Sequence, residues 1–331
     1  ERQGPSALSD AFRQMVEVLV CKIGVGPGGC DRLGAAAIPG RFGLDAVQIQ
    51  REGAGKPLFR GDLFLLGQLK SRLGSGAKTM GVITVVLTAA IERMPDLFDR
   101  TWTCTGSIQI GDQTVTCTSA HGDETIGQAF SNSCNCVFGL LAVELGADTL
   151  ERYVEQAGLT SSYSVDGIPT LASSIPLEGL SEGQLAWAGV GQAKDSVNPL
   201  SMLVYMGAVA NGGRAAVPRL IHRSDASLIP AGWGARRTGT LIAPDTAQIL
   251  SDMMAYNVTS NYGSSRFGNL DMGAKSGTAE VGADQKPHAW FAGFVREAEH
   301  PYAFVVLVEN GGSGSQAAGD VAAAVLSAAV G

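Results

Sequence analysis

The last part of the chain constrains the fold most. Strand-like stretches cover the segment around Lys275 and residues 289–295 and 302–309, and an alanine-rich helix closes the chain. Consecutive strands followed by a helix, with helices filling the middle of the sequence, predict an antiparallel sheet covered by helices. The last helix is expected to pack on that sheet.

The first of these strands carries the most reactive run, Gly273-Ala274-Lys275-Ser276-Gly277-Thr278-Ala279-Glu280. On an edge strand, the Lys275 ammonium can hold an anionic group and the Ser276 hydroxyl can bond the same carboxylate. Gly277 lacks a Cβ and admits another backbone. The Thr278 N–H can then point at a developing oxyanion. Taken alone, the tetrapeptide reads better as a polar turn before a strand, so the rest of the chain has to decide.

Composition narrows the field. The chain has 331 residues, enough for one large or two ordinary domains. A net charge of -7 argues against nucleic acid or an anionic membrane surface as a partner. The longest apolar run, 82–91, is broken by threonines and falls short of the roughly 18–20 residues of a membrane span. It reads as a buried helix. No signal peptide is recognisable at Glu1, and an export signal or anchor is expected to have been removed.

Two of the six cysteines, Cys104 and Cys117, flank two short alternating strands around Gly111-Asp112. A disulfide across that hairpin and two small apolar residues in a sheet are equally good readings. Cys134 and Cys136 are too close to bridge each other comfortably. The four histidines are scattered, and no zinc spacing is visible.

Along the chain, residues 9–23 predict an amphipathic helix capped by Ser9, with Phe12, Met15, Val16, Leu19, Val20 and Ile23 on its apolar face. The GxGxxG at Gly24 to Gly29 lacks a preceding strand and reads as a loop. Residues 44–50 predict a strand. Asn198-Pro199 opens a helix over 199–210. Another helix covers about 245–256, with Ile249, Leu250, Met253 and Met254 as its buried stripe.

Two further motifs bear on chemistry. Ser75-Gly76-Ala77-Lys78 precedes the apolar helix; a serine and lysine three apart on a helix's first turn share a face, as nucleophile and base. The bland reading is an ordinary helix start. Ser133-Cys134-Asn135 can present a hydroxyl for proton relay and a carboxamide for a substrate amide. Its bland reading is a pair of turn residues capping a helix. Ser196-Val197-Asn198 has the same form but reads as a helix cap.

The order Ser75-x-x-Lys78, Ser133-x-Asn135, Lys275-Ser276-Gly277 is similar to the three-motif signature of penicillin-recognising serine acyltransferases. The chain resembles a penicillin-binding protein D,D-transpeptidase domain, class B-like, and the cysteine hairpin resembles Gram-positive members. The likeness takes in Ala129 to Phe138, Leu185 to Gly213, His288 to Phe294 and Val306 to Gly312. It implies an α/β (α+β) fold of the β-lactamase/transpeptidase type: an antiparallel sheet flanked by helices plus a mostly helical subdomain. Residues 61–331 are assigned to this domain. Residues 1–60 are set apart as an N-terminal segment, with a remnant of a pedestal domain among its readings.

The resemblance also implies a mechanism. Ser75 attacks the carbonyl of a D-Ala-D-Ala stem peptide, Lys78 takes its proton, and Ser133 relays a proton to the leaving amine. Asn135 positions the peptide amide. Lys275, Ser276 and Thr278 bind the terminal carboxylate beside Gly277. Peptidoglycan stem peptides, β-lactam antibiotics and the cell-wall synthesis machinery are the implied partners, with no nucleic acid and no metal or organic cofactor. The implied location is the extracytoplasmic face of the cell membrane.

Carboxypeptidase, β-lactamase and non-catalytic sensor readings share this fold. The first motif departs from the family: Leu73-Gly74 stands where Pro-Gly is usual, and Gly81 separates Lys78 from the helix. Aligning the helix without a gap would put the nucleophile near Met80 and the lysine near Ile83.

Overall fold

The structure, a computed structural model, describes residues 16–22, 80–165, 168–192, 195–218, 237–281 and 285–330. Among the described residues four strands form the main sheet: β1 (Val16–Lys22), β8 (Met272–Ala279), β9 (His288–Val295) and β10 (Tyr302–Val308), in the order β1-β10-β9-β8. All neighbours are antiparallel, and β8 lies at an edge with Lys275 opposite Ala292. The short β2 (Thr101–Cys104), β3 (Ser107–Ile110), β4 (Gln113–Thr116), β5 (Gly122–Thr125), β6 (Ser164–Val165) and β7 (Ile168–Pro169) pair two by two outside it.

The helices are α1 (Met80–Arg93), α2 (Ile126–Asn132), α3 (Asn135–Leu145), α4 (Ala147–Gln156), α5 (Glu182–Gly189), α6 (Pro199–Ala210), α7 (Pro244–Asn257) and α8 (Gly319–Val330).

Strand alternation sorts the main sheet's side chains into two cores. On one face, Trp290, Ala292, Phe294, Ala303, Val305 and Leu307 join the large helical core. On the other, Phe291, Phe304 and Val306 pack with Ala322 and Leu326 of α8. Phe267, Phe291 and Phe304 stack there at 5.6 and 6.1 Å between ring centroids. Both faces are covered, which is why β10 reads as a continuous apolar run rather than an alternating one.

The centre of the helical part is α1, buried on every side from Val82 to Ala90. A helix buried all round must satisfy its polar groups internally. Thr88 does so by donating to the Thr84 carbonyl at 2.8 Å and meeting the Tyr205 hydroxyl of α6 at 2.7 Å. Asn198 caps α6 by accepting from Leu200 N at 2.8 Å, with Pro199 at the first helical position, so the second SxN match is structural as expected. In α7 the buried residues are Thr246, Ala247, Leu250, Ser251, Met254 and Asn257, while Ile249 and Met253 are only half-buried. The buried stripe is thus rotated from the expected one and accepts two hydroxyls.

One element differs in kind. Residues 16–22, expected within a helix, form β1, registered from Val16 opposite Val308 to Lys22 opposite Tyr302. The apolar spacing fits a helix, but Val16, Val18 and Val20 also fit a strand, where β-branched residues are favoured. Pairing along the whole of β10 decides the ambiguity. The expected loop at 24–29, the strand at 44–50, Ser75 and Lys78 lie outside the described residues.

The hairpin expected between Cys104 and Cys117 is present as β3 and β4, turning at Gly111 with φ +51°. Cys104 itself ends β2, which pairs with β5. The two cysteines meet as free thiols, their Sγ atoms 3.7 Å apart.

Candidate active site

The site forms where the edge strand β8 meets the break between α2 and α3. Thr125 starts α2 with a capping box, its side chain and that of Gln128 bonding each other's backbone N–H. The helix stops at Ser133, which adopts a left-handed conformation, φ 55° and ψ 45°. A non-glycine residue there is uncommon and has to be held by its surroundings. Cys134 N donates to the Ala129 carbonyl at 2.9 Å, and α3 begins at Asn135.

Lys275 reaches this corner from β8. Its ammonium donates to Ser133 Oγ and to the Ser276 carbonyl at 3.3 Å, and lies 5.7 Å from the centre of the Phe130 ring. Lys275 is fully buried, and burial pushes its pKa down to about 7. The ammonium proton is therefore far more easily given up than that of a solvated lysine.

Tyr262 organises the next residue. Ser276 N donates to Tyr262 Oη at 2.8 Å, and Tyr262 Oη donates to Ser276 Oγ at 2.9 Å. The Ser276 hydroxyl, having accepted, keeps its own proton to donate. Ser276 N–H is spent outside the sheet, so by ladder alternation the Thr278 N–H points to the same edge. The Thr278 hydroxyl instead accepts from Gly314 N at 3.2 Å. A close backbone approach at Gly277 is realised from the Gly314 side: a Cβ on Gly314 would lie 2.1 Å from the Gly277 carbonyl oxygen.

A buried amide network fixes the two halves together. Asn257, at the end of α7, donates to the Ala274 carbonyl at 2.7 Å and to Tyr262 Oη at 3.0 Å. Its carbonyl oxygen accepts from Ser131 Oγ at 3.1 Å, two residues before Ser133. Asn261 adds a 2.6 Å bond to the Ser131 carbonyl. None of Ser131, Asn257, Asn261 and Tyr262 stood out in the sequence, where each is an ordinary polar residue.

Asn135 takes a different place from the one expected. Its Nδ2 donates to the Thr116 carbonyl at 2.6 Å, tying α3 to the end of β4. Its Oδ1 is buried and has no partner among the described residues. Lys275, Ser133 and Ser276 are thus brought together, Thr278 lies on the same edge, and Asn135 supports the corner from behind.

The family description "Penicillin binding protein transpeptidase domain" matches residues 69–330. The chain belongs to this family. Among relatives, the peptidoglycan D,D-transpeptidase PbpA of Mycobacterium tuberculosis is 30% identical over 223 residues, 63% of this chain and 44% of PbpA. The peptidoglycan D,D-transpeptidase MrdA of Haemophilus influenzae is 21% identical over 237 residues, 63% of this chain and 36% of MrdA. The chain thus matches less than half the length of these relatives.

A D,D-transpeptidase domain from Eggerthella lenta superposes with a TM-score of 0.65 at 27% identity, covering 78% of this chain and 66% of that one. A ceftriaxone acyl-enzyme of M. tuberculosis penicillin-binding protein A reaches 0.74 at 21% identity, covering 95% and 74%. The α+β fold expected from the sequence is that of these transpeptidase domains.

Proposed function

We propose that the chain is the acyl-transfer domain of a peptidoglycan D,D-transpeptidase that works through a serine acyl-enzyme. The observation that carries this reading is the buried Lys275 ammonium donating to Ser133 Oγ from a strand distant in sequence. A buried lysine with a lowered pKa, hydrogen-bonded to a hydroxyl, is a device for proton transfer or for holding an anion.

In this reading Ser75 attacks the carbonyl of the penultimate D-Ala, and Lys78 takes the hydroxyl proton. Ser133, backed by Lys275, returns a proton to the amine of the departing D-Ala. Ser276, with a hydroxyl proton to give, and Lys275 hold the terminal carboxylate. Asn135, bonded to the Thr116 carbonyl, braces the corner from behind. The N–H groups of Ser75 and Thr278 receive the oxyanion. A second stem's amine then displaces the serine, forming the crosslink, and a β-lactam acylates the same serine.

In this reading the domain works on the extracytoplasmic face of the cell membrane, where stem peptides are crosslinked. Within the described residues no single helix is long and apolar enough to cross a membrane. The catalytic unit in this reading is residues 61–331 together with β1, which pairs with β10 in the main sheet.

A second reading, a penicillin-recognising domain without turnover, is favoured by the irregular first motif of the sequence. In it Leu73-Gly74 precedes Ser75 where the family usually has Pro-Gly. Intact mass after exposure to a fluorescent penicillin separates the two. A covalent adduct mapped to Ser75 and absent in Ser75→Ala supports the enzyme, and its lifetime separates a transpeptidase from a β-lactamase. A folded chain that takes no adduct leaves the binding module.

A further inference from the structure

Behind the Ser133 corner lies a cluster of thiols that the acyl-transfer reading does not use. Cys104 ends β2, Cys117 follows β4, His121 precedes β5, and Cys134 sits between Ser133 and Asn135. One potential ligand atom from each of these residues lies within 4.8 Å of the others. The Sγ of Cys117 is 3.7 Å from that of Cys104 and 3.8 Å from that of Cys134.

These spacings discriminate between two chemistries. A disulfide needs sulfur atoms about 2.05 Å apart. Thiolates at about 2.3 Å from a tetrahedral zinc are separated by about 3.8 Å, the edge of the tetrahedron. The cluster has the second spacing. Three soft sulfurs and an imidazole favour zinc over the hard cations magnesium and calcium.

A second, independent observation points the same way. His121 Nδ1 and Glu124 Oε2 are buried 3.7 Å apart, and neither has a hydrogen-bond partner among the described residues. Glu124 is almost fully buried, and its other oxygen accepts from Asn132 Nδ2 at 2.7 Å. A ring nitrogen facing a fixed carboxylate is the usual outer partner of a metal-bound histidine. The backbone is already arranged for it: His121 N bonds the Cys104 carbonyl at 3.1 Å, and Cys136 N donates to Cys117 Sγ at 3.4 Å.

We propose that Cys104, Cys117, His121 and Cys134 bind one zinc ion, with Glu124 orienting the histidine. Binding replaces three S–H bonds by Zn–S bonds and releases three protons to solvent, with no change of oxidation state. Cys136 stays outside the ligand set, its Sγ 3.4 Å from Cys117 Sγ and directed to the Val115 carbonyl at 3.9 Å. The ion clamps the β3–β4 hairpin and β5 to the residue between Ser133 and Asn135. It thereby helps hold Ser133 in its left-handed conformation, facing Lys275. The metal site stands on the cluster alone; this positioning effect rests on the acyl-transfer reading.

The test is metal content of the full chain after dialysis against trace zinc, with cobalt(II) as a spectroscopic stand-in. One zinc per chain is expected, and cobalt should give the strong visible bands of a tetrahedral thiolate site. Cys134→Ser and His121→Ala should weaken zinc binding by more than the ~10–100-fold expected for Glu124→Gln, while Cys136→Ser should leave it unchanged. The wild-type cobalt spectrum needs no variant and covers the case in which one fails to fold. Absence of stoichiometric metal, or a disulfide mapped between any of Cys104, Cys117 and Cys134, overturns the proposal. So does loss of metal in Cys136→Ser equal to that in Cys134→Ser. If zinc binds but no sample is acylated by a β-lactam, the metal site stands and the acyl-transfer reading falls.

Discussion

Replacing Lys275 by methionine tests the site through stability before any activity is measured. The ammonium is fully buried, and its described partners (Ser133 Oγ, the Ser276 carbonyl and the Phe130 ring) are all uncharged. Desolvation therefore dominates and lowers the pKa from 10.5 to about 7. Between those values the unfolded chain binds more protons than the folded one, so stability rises with pH across that window. Below about pH 7 the penalty is complete, and above about 10.5 it is gone.

At about 1.4 kcal/mol per pKa unit, the complete penalty is on the order of 5 kcal/mol. The lost hydrogen bond and cation–π contact, together about 1–2 kcal/mol, offset part of what the variant gains. Lys275→Met should thus be more stable than wild type at pH 7 while losing β-lactam acylation. Its advantage should shrink by roughly 2–3 kcal/mol between pH 7 and pH 9. Urea unfolding of both proteins at the two pH values measures this, and comparing them cancels the other titrating groups. An advantage that is the same at both pH values, or absent at both, refutes the buried-ammonium argument.

Three other substitutions probe separate supports. Asn257→Ala removes the buried bonds to the Ala274 carbonyl, Tyr262 and Ser131; it should cost about 2–4 kcal/mol in urea unfolding and slow acylation. Gly314→Ala puts a Cβ 2.1 Å from the Gly277 carbonyl and 2.7 Å from that of Trp290. The forced shift should cost about 1–3 kcal/mol and slow acylation by displacing β8, read by adduct formation against time. Tyr205→Phe deletes the hydroxyl 2.7 Å from Thr88 at the centre of the helical core. About 1 kcal/mol should be lost in thermal or urea unfolding, with acylation unchanged.

Local rules made much of this architecture readable. The Asn198-Pro199 start of α6, the Gly111-Asp112 turn and the apolar helix around 82–91 are each specified by nearest neighbours in the chain. So are the last three strands and the closing helix. The Lys-Ser-Gly-Thr motif was recognisable for the same reason: residue types in a fixed local order. Residues 16–22 escaped that logic, because their pattern fits both periods and only pairing with β10 makes them a strand.

The sequence alone therefore determined the family, the α+β class and the two motifs that meet at Lys275 and Ser133. Tertiary structure decided what surrounds them. It turned Asn135 toward Thr116, and it brought Asn257, Asn261 and Tyr262 beneath the site. It also gathered Cys104, Cys117, His121 and Cys134 into one cluster without any recognisable spacing along the chain. The physical reason is the same throughout: capping, turn and periodicity signals act over a few residues, whereas a buried donor's partner is set by the packing of distant elements.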